Sequence, residues 1–530
     1  MSIKYLYCSI LIMIVISLVN AQSIDKREKK INLKLANWYF EGGVYPKALP
    51  VYLSLYEEDS SNAGLNHKIA ICYLYSNKDH EQAIRFFEKA IKAGKTDVYF
   101  DLGLAYHLDS RFDDAIKAFQ IYRNSLSIKE YQNSDVNRYI ETSKRAKRMI
   151  VNTVDVKIEN IGENINSRFS DYVPVITADE SMLIFTSRHE ESTGRLLDPN
   201  NKYFEDVYIS YKKNGAWIKA EKIDTNINTH THDACIGLSA DGQELFIYKT
   251  DEEQLLTGDI YVSSLKGTSW SVPRKLGINI NTNWQESSAS MTSDRKVLYF
   301  SSDRPGGYGG RDIYKAESDP IYEWGPAQNL GPTINTPYDE DEPFIHVNGK
   351  TLYFSSQGHN TMGGFDIFKS ELGEDGLWSE PENLGYPINN VGDDRFFVIS
   401  ASGERGYYSS DIKGGFGGHD IYVVHMPTEM VDLIVMKGII RSSETKDPLG
   451  ATIMMIDNET RKTKGIYRSN SATGQYMLVI PPGKVFEMTI LMKEYKPYHA
   501  NFVLEGENSY KEIVKDYELK PWQSGVPDEQ

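Results

Sequence analysis

One unit of sequence is written five times between residues 151 and 428, and it restricts the possible folds more than any other feature of the chain. An Ile-Asn pair recurs at Ile165-Asn166, Ile227-Asn228, Ile280-Asn281, Ile334-Asn335 and Ile388-Asn389, at spacings of 62, 53, 54 and 54 residues. A second anchor, Asp-aliphatic-aromatic, recurs at Asp206-Val207-Tyr208, Asp259-Ile260-Tyr261, Asp312-Ile313-Tyr314, Asp366-Ile367-Phe368 and Asp420-Ile421-Tyr422. Between the anchors, short β-branched and aromatic runs alternate with Gly, Asn, Asp and Pro turns, as strands and their connections do. A unit of this length holds about four strands, and a ring of four-stranded sheets is a β-propeller. Five copies predict five blades over residues 151–428. Four copies end in a Trp-containing strand (Trp217, Trp270, Trp324, Trp378), whereas the fifth stops at Val423 to Met426 without one. The unattached strand Val154 to Ile161 is therefore expected to complete the last blade, which removes both free sheet edges.

Residues 22–150 carry a different period. Ala36, Ala70 and Gly103 recur at spacings of 34 and 33, each followed three residues on by Tyr39, Tyr73 and Tyr106. Ala48/Tyr52, Ala83/Phe87 and Ala115/Phe119 repeat alongside them. Small residues at this spacing mark where two helices touch, and the pattern resembles tetratricopeptide repeats, about three of them. Asp135 to Met149 is read as a polar capping helix, with Lys144 to Arg148 as its solvated face. Stacked repeats of this kind offer a concave groove to a peptide or partner helix. Residues 431–520 alternate apolar segments with turns, which fits a small β-sandwich, and 521–530 reads as a frayed tail. The predicted fold class is thus multidomain, α plus all-β: an α-solenoid, a five-bladed propeller and a sandwich.

The N-terminus predicts the compartment. Lys4, the apolar run Ile10 to Val19 and the small-residue site before Gln22 make residues 1–21 a secretory signal peptide, so no membrane span is expected after cleavage. A periplasmic or outer-membrane-associated location follows. The chain has 3 Cys; Cys8 leaves with the signal, and Cys72 and Cys235 fall in different domains, so no disulfide framework is expected. Net charge is -16. Residues 22–150 hold 21 basic and 17 acidic side chains and residues 151–530 hold 36 and 57, an acidic balance that argues against nucleic acid and for cations or basic partners.

The blades are similar to the WD40-like, TolB-type propeller repeat, most fully at Leu298 to Tyr314, where aromatic-Ser-Ser-Asp-Arg, a Gly-rich turn and Asp-Ile-Tyr follow one another. The tail resembles carboxypeptidase regulatory-like domains, a non-catalytic module, through KGIIRSSETKDPLGATI and SATGQYMLVIPPGK. The order of all four parts resembles the envelope proteins of Bacteroidetes that end in an OmpA-like peptidoglycan-binding domain. No room for that last domain follows Glu518, so peptidoglycan anchoring is not carried over. The resemblance implies a non-enzymatic scaffold that binds envelope or secretion-system proteins through its helical and propeller modules. The alternative is a propeller that binds or hydrolyses glycans or peptidoglycan.

Candidate chemistry is sparse in the sequence. No zinc-protease helix and no nucleophile elbow appear, and no catalytic or cofactor-binding residue is assigned. His230 and His232 are read as loop residues ahead of metal ligands. Five residues after each repeat Asn stands an acid: Asp171, Asp233, Glu286, Glu340 and Asp394. Symmetry would place these five carboxylates around one mouth of the channel. Two readings stay open: they bind a cation such as calcium or a basic segment, or each accepts backbone N–H bonds from the adjacent blade. Asp339 to Glu342 adds charge at one blade. Asp206, Asp259, Asp312, Asp366 and Asp420 are read as structural, capping the Gly-rich turn of SSDRPGGYGGRDIY (Ser301 to Tyr314) and its counterparts. A hydrolytic cluster should break the five-fold pattern, and the only break noted is the longer turn Glu190 to Glu205 of the first blade.

Overall fold

The computed structural model describes residues 32–522 except 78, 199–201, 251–257, 322, 413, 428–431, 481–484 and 504–509. The expected signal peptide and all but two residues of the expected tail lie outside the described residues. The chain divides into two compact units between Lys147 and Arg148.

In the first unit, helices pair in sequence: 32–41 with Tyr45–Tyr56, Ala63–Cys72 with His80–Lys92, and Tyr99–Leu108 with Phe112–Ser125, before Ile128–Gln132 and Val136–Met149. The repeated small residues stand where helices meet. Ala36, Ala48, Ala70, Ala83 and Ala115 are fully buried beside Tyr52, Phe87 and Phe119, and a Cβ on Gly103 would lie 2.6 Å from the Phe119 ring. Asn62 and Asp79 cap their helices by accepting from the Leu65 and Gln82 N–H groups, which satisfies donors left free in a first turn. Tyr39 and Tyr73 pack half-buried against this core. Lys144 and Lys147 pair with Glu141 and Asp113 at the surface, so the basic run is a solvated face.

The second unit contains five successive antiparallel sheets. Sheet one starts at Asp171–Ile176, sheet two at Asp233–Leu238, sheet three at Glu286–Met291, sheet four at Glu340–Ile345 and sheet five at Arg395–Ile399. Each continues outward through two further strands, the third beginning at or next to the repeat Asp. The first strands pack side by side, and that of sheet five packs on that of sheet one. This is a β-propeller arrangement. Lys157–Asn160 joins sheet five outside Asp420–His425, with Lys157 opposite His425 and Asn160 opposite Tyr422, as the unattached strand predicted. Beyond the ring, Ile434–Ser442, Gln475–Ile480, Lys511–Val514 and Tyr517–Leu519 form one sheet and Thr452–Asp457, Thr463–Arg468, Val485–Leu491 and Tyr498–Val503 a second. The two share one apolar core. Leu433, Val435, Met477 and Val479 of this domain bury against Ala178, Ala240 and Ala401, in the turns that leave the innermost strands. Lys437 to Asp179, Asn470 to the Gly267 carbonyl and Lys296 to the Thr463 carbonyl fasten it there.

The two sequence anchors turn out to be hydrogen-bonded to each other. Each repeat Asn reaches back to the previous sheet and bonds both backbone groups of the residue after the repeat Asp. Asn228 accepts from Val207 N–H at 2.8 Å and donates to its carbonyl at 3.0 Å. Asn281 holds Ile260, Asn335 holds Ile313 and Asn389 holds Ile367 in the same way. Asn166 holds Ile421, which ties the first sheet to the fifth. All five Asn are nearly buried, so no water can replace them. Asn281→Ala or Asn389→Ala should therefore strand a buried N–H and a buried C=O and cost about 2–4 kcal/mol, measured by urea denaturation; a loss under about 0.5 kcal/mol would mean the clamp is dispensable.

Candidate functional site

The five repeated acids do not form an exposed ring. Asp171, Asp233, Glu286, Glu340 and Asp394 are each at most 1% exposed, and their carboxylates serve the turn just before their own strand. Asp171 accepts from Ser167 N–H and Oγ, Asp233 from Thr229, Glu286 from Thr282 and Ser302, Glu340 from Thr336 and Ser356, and Asp394 from Asn390 and Ser410. Both earlier readings are corrected. The carboxylates are spent on five separate turns and offer no shared oxygen cage to calcium. The link to the neighbouring sheet comes from backbone: the N–H groups of Asp171, Asp233, Glu340 and Asp394 donate to the carbonyls of His419, Glu205, Arg311 and Phe365. Among the described residues, no group of three or more His, Cys, Asp or Glu is placed to hold a metal ion. His232 lies against Glu205 and Phe204.

The second set of acids behaves as expected in sheets one, three, four and five: Asp206 accepts from Thr193 N–H, and the last three repeat one pattern. Asp312 accepts from Tyr308 and Gly309 N–H, Asp366 from Met362 and Gly363, and Asp420 from Phe416 and Gly417. Asn329, Asn383 and Asn160 complete these three. In sheets one and two a lysine stands in their place, Lys222 on Asp206 and Lys275 on Asp259. Close approach is the main demand on the turn glycines: a Cβ on Gly309, Gly363 or Gly417 would lie 2.0, 2.4 or 1.6 Å from a carbonyl oxygen of the next sheet. Positive φ falls at Gly306 and Gly414 in two of these turns and at His359 in the third.

The functional candidates are the residues flanking the anchors, where the five-fold pattern fails. The position after the repeated acid holds Tyr172, Ala234, Ser287, Asp341 and Arg395, and the position before the repeat Asp holds Glu205, Gly258, Arg311, Phe365 and His419. These positions gather at the end of the channel opposite the sandwich. On one side, Arg188 donates to Glu205 at 2.6 Å, to Asp198 at 3.0 Å and to the Tyr172 hydroxyl at 3.1 Å, while Tyr172 and His232 also bond Glu205. On the other, Asp341 accepts from Ser287, Ser288 and Arg311 at 2.8, 2.7 and 3.1 Å, and Arg395 donates to Glu342 at 2.6 Å. Arg311 continues to Gln285, which donates to Tyr248. Tyr172 and Phe396 bridge the two groups with ring centres 6.3 Å apart.

β-Bulges build this cluster. In sheets one, four and five the pairing register shifts just after the first residues of the inner strand, and Val173, Glu342 and Phe396 there have φ of 53, 57 and 59°. A bulge interrupts strict alternation and re-aims side chains, which lets both Asp341 and Glu342 reach Arg395. Deeper in the channel Pro174, Val175, Ile236, Leu238, Phe344 and Val398 leave a void of about 30 Å³, so the channel is plugged and the mouth is a shallow basin. Trp284, Tyr308 and Phe416 belong to the connections at this end and are half exposed.

The electrostatics separate the carboxylates. Burial raises Glu205, but the bonds from His232 and Arg188 outweigh it and hold the group at about 2. Asp341 is likewise lowered, burial being outweighed by Arg311 and Arg395. Glu342 is raised, because burial and the Asp341 charge exceed the help of Arg395. Adjacent carboxyls pushed apart in this way suit one proton donor and one anion. Sequence reading flagged Asp339 to Glu342 and the long first turn but missed Tyr172, Arg188, Arg311 and Arg395. Their signal was departure from the repeat beside an anchor.

No protein-family model matches the chain, and no curated protein matches it. Solved structures do. A β-xylosidase/α-arabinofuranosidase from a compost metagenome is 12% identical, covering 51% of this chain and 96% of its own, with a TM-score of 0.36. The endo-arabinase of Bacteroides thetaiotaomicron is 12% identical over 51% of this chain and 98% of its own, TM-score 0.34. The β-propeller domain of the Trilobed protease from Pyrococcus furiosus is 13% identical over 64% and 96%, TM-score 0.25. Likeness at this level assigns neither substrate nor mechanism. The expectation of a chain without enzymatic activity is corrected on its own ground: the cluster of tyrosine, arginine and carboxylate side chains whose absence it rested on is present at the mouth.

Glu340 provides a test of the buried acids. Burial lifts its pKa to about 7 against an ordinary 4.5, so the folded chain holds a proton between those values that the unfolded chain releases. Stability from this group is present below pH 4.5 and lost as pH rises to 7, by up to about 3 kcal/mol. Glu340→Gln should therefore gain melting temperature relative to the parent at pH 8 and show little gain at pH 5; a difference independent of pH would refute the shift.

Proposed function

We propose that the five sheets are the blades of one closed propeller and that its open mouth binds a glycan. The observation that carries this is the mouth itself: cations and carboxylates paired almost one to one, opening between half-exposed aromatic rings. Paired charges leave little net field for a strongly ionic ligand, while their free donor and acceptor edges match the alternating hydroxyls of a sugar. Aromatic faces supply the apolar platform on which a sugar ring packs. Asp341 and Glu342, adjacent and titrating in opposite directions, favour a second, hydrolytic reading of the same basin, with Glu342 as proton donor and Asp341 as the anion. The helical pairs of residues 32–149 are read as a tetratricopeptide solenoid offering a groove to a protein partner, on the repeat spacing. Export to the envelope rests on the N-terminal sequence. Among the described residues no helix is long and apolar enough to cross a membrane.

The test is a panel of neutral oligosaccharides, with cellotriose, xylotriose, arabinan fragments and muropeptides, followed by calorimetry and product analysis. Binding should be saturable, Trp284→Ala should weaken it about 10-fold, equivalent to ~1.4 kcal/mol, and Glu342→Gln should abolish any turnover while leaving affinity within about 3-fold. Absence of binding by the whole panel, or binding unaltered in Trp284→Ala and Tyr308→Ala, would sink the reading.

A further inference from the structure

A second cavity of this unit lies at the other end. A cleft of about 1050 Å³ separates sheets three to five from the C-terminal sandwich, comparable with the largest ligand pockets, which run roughly 300–1,000 Å³. Junctions between domains are common places for such sites. Its propeller wall carries the cross-strand pair Tyr299 and Lys315 from sheet three, repeated as Tyr353 and Lys369 in sheet four. In sheets one, two and five the same register holds Ile184/Ile209, Phe246/Val262 and Tyr407/Val423. The polar pair is thus confined to two neighbouring sheets, both of which line the cleft.

Tyr299 is 4% exposed and packs edge-on against Trp378. Its hydroxyl and the Lys315 ammonium, side by side on one wall, have no hydrogen-bond partner among the described residues. Burial pushes the Tyr299 phenol up to about 12, so it stays a donor at neutral pH. None of the acidic neighbours bonds this pair: Asp294 accepts from Thr292 and Lys296 N–H, Glu371 from Thr351 and Lys369, Glu382 stands opposite Lys369, Glu317, two residues from Lys315, is exposed to solvent, and Asp432 is at the exposed rim. The cleft is also lined by Val154, Val156, Leu384 and Met426, half-buried apolar residues that pack on one core. Two donors without acceptors and a half-buried hydrocarbon cluster lining the same cleft define a ligand with an anionic head and an apolar body.

We propose that this cleft binds an amphiphilic carboxylate, its head accepting from Tyr299 and Lys315 and its acyl chain lying against Val154, Val156, Leu384 and Met426. The full chain, titrated calorimetrically with dodecanoate below its micelle-forming concentration, should bind one equivalent, while dodecyltrimethylammonium should not bind. Tyr299→Phe should weaken dodecanoate about 10-fold and Lys315→Glu should abolish its binding, with the unliganded melting temperature unchanged. Should Tyr299→Phe fail to fold, the half-exposed Lys315 still decides, through Lys315→Met, expected to weaken binding about 10-fold. The proposal is overturned if dodecanoate does not bind, if Lys315→Glu binds it as the parent does, or if the cationic amphiphile binds equally well. None of these outcomes bears on the glycan reading, which concerns the opposite end of the ring.

Discussion

The paired hydrogen bonds between each repeat Asn and the strand of the preceding sheet are the constraint on which the second unit depends. Sheets in a ring touch mainly through side chains, so nothing in apolar packing alone fixes the height of one sheet against the next. An amide that meets both the N–H and the C=O of one residue, within 2.8–3.0 Å in every sheet, fixes that height to a single register. Burial makes the clamp obligatory, because an amide with no access to water cannot exchange its partners at low cost. The Ile before each Asn is buried too, which pins the loop from the apolar side. Closure uses the same device: Asn166 reaches Ile421 while Lys157–Asn160 adds the outer strand of that same sheet.

A scaffold held this firmly at its anchors is free to vary beside them. Residues just after the repeated acid and just before the repeat Asp converge at the mouth, and their side chains take no part in the clamp. Tyr172, Asp341 and Arg395 occupy one such position in three sheets and Glu205, Arg311 and His419 another. Bulges with positive φ at Val173, Glu342 and Phe396 widen the choice by bringing consecutive residues to the mouth. Such backbone is costly for a β-branched or long side chain, and it persists because the neighbouring sheets over-determine it: Phe396 N–H donates to Glu342, and Val173 N–H to Ser409.

Much of this was legible before the structure. Spacing alone carried the number of repeats, the closing strand and the small residues between helices, since these depend on periodicity and on the absence of a side chain. The clamp was half legible: both anchors stood out, but a sequence does not say that Asn228 and Val207 meet. The repeated acids were misplaced for a physical reason. A carboxylate at the start of an inner strand can face the channel or fold back onto its own turn, and the Ser, Thr or Asn four residues earlier, at Ser167, Thr229, Thr282, Thr336 and Asn390, decides for the turn by offering a second donor. Read together with that residue, the acid would have been recognised as an Asx-type cap. The mouth was illegible because its residues share no motif; they are defined by not repeating.

The two ends of the ring then carry opposite electrostatic designs. At the mouth the arginines are paired with carboxylates: Arg188 with Glu205 and Asp198, Arg311 with Asp341, and Arg395 with Asp341 and Glu342. Ions paired in this way are rigid hydrogen-bonding furniture rather than free charges, and their desolvation has already been offset within the protein. At the sandwich end Lys315 and the Tyr299 hydroxyl remain without acceptors, so their donors are available to a ligand with no internal bond to break first. Because the inner channel between the two is filled by Val175, Ile236, Phe344 and Val398, no continuous solvent path joins them through the axis. The two ends are therefore connected through the packed inner strands, whose apolar filling separates the paired charges of one end from the unpaired donors of the other.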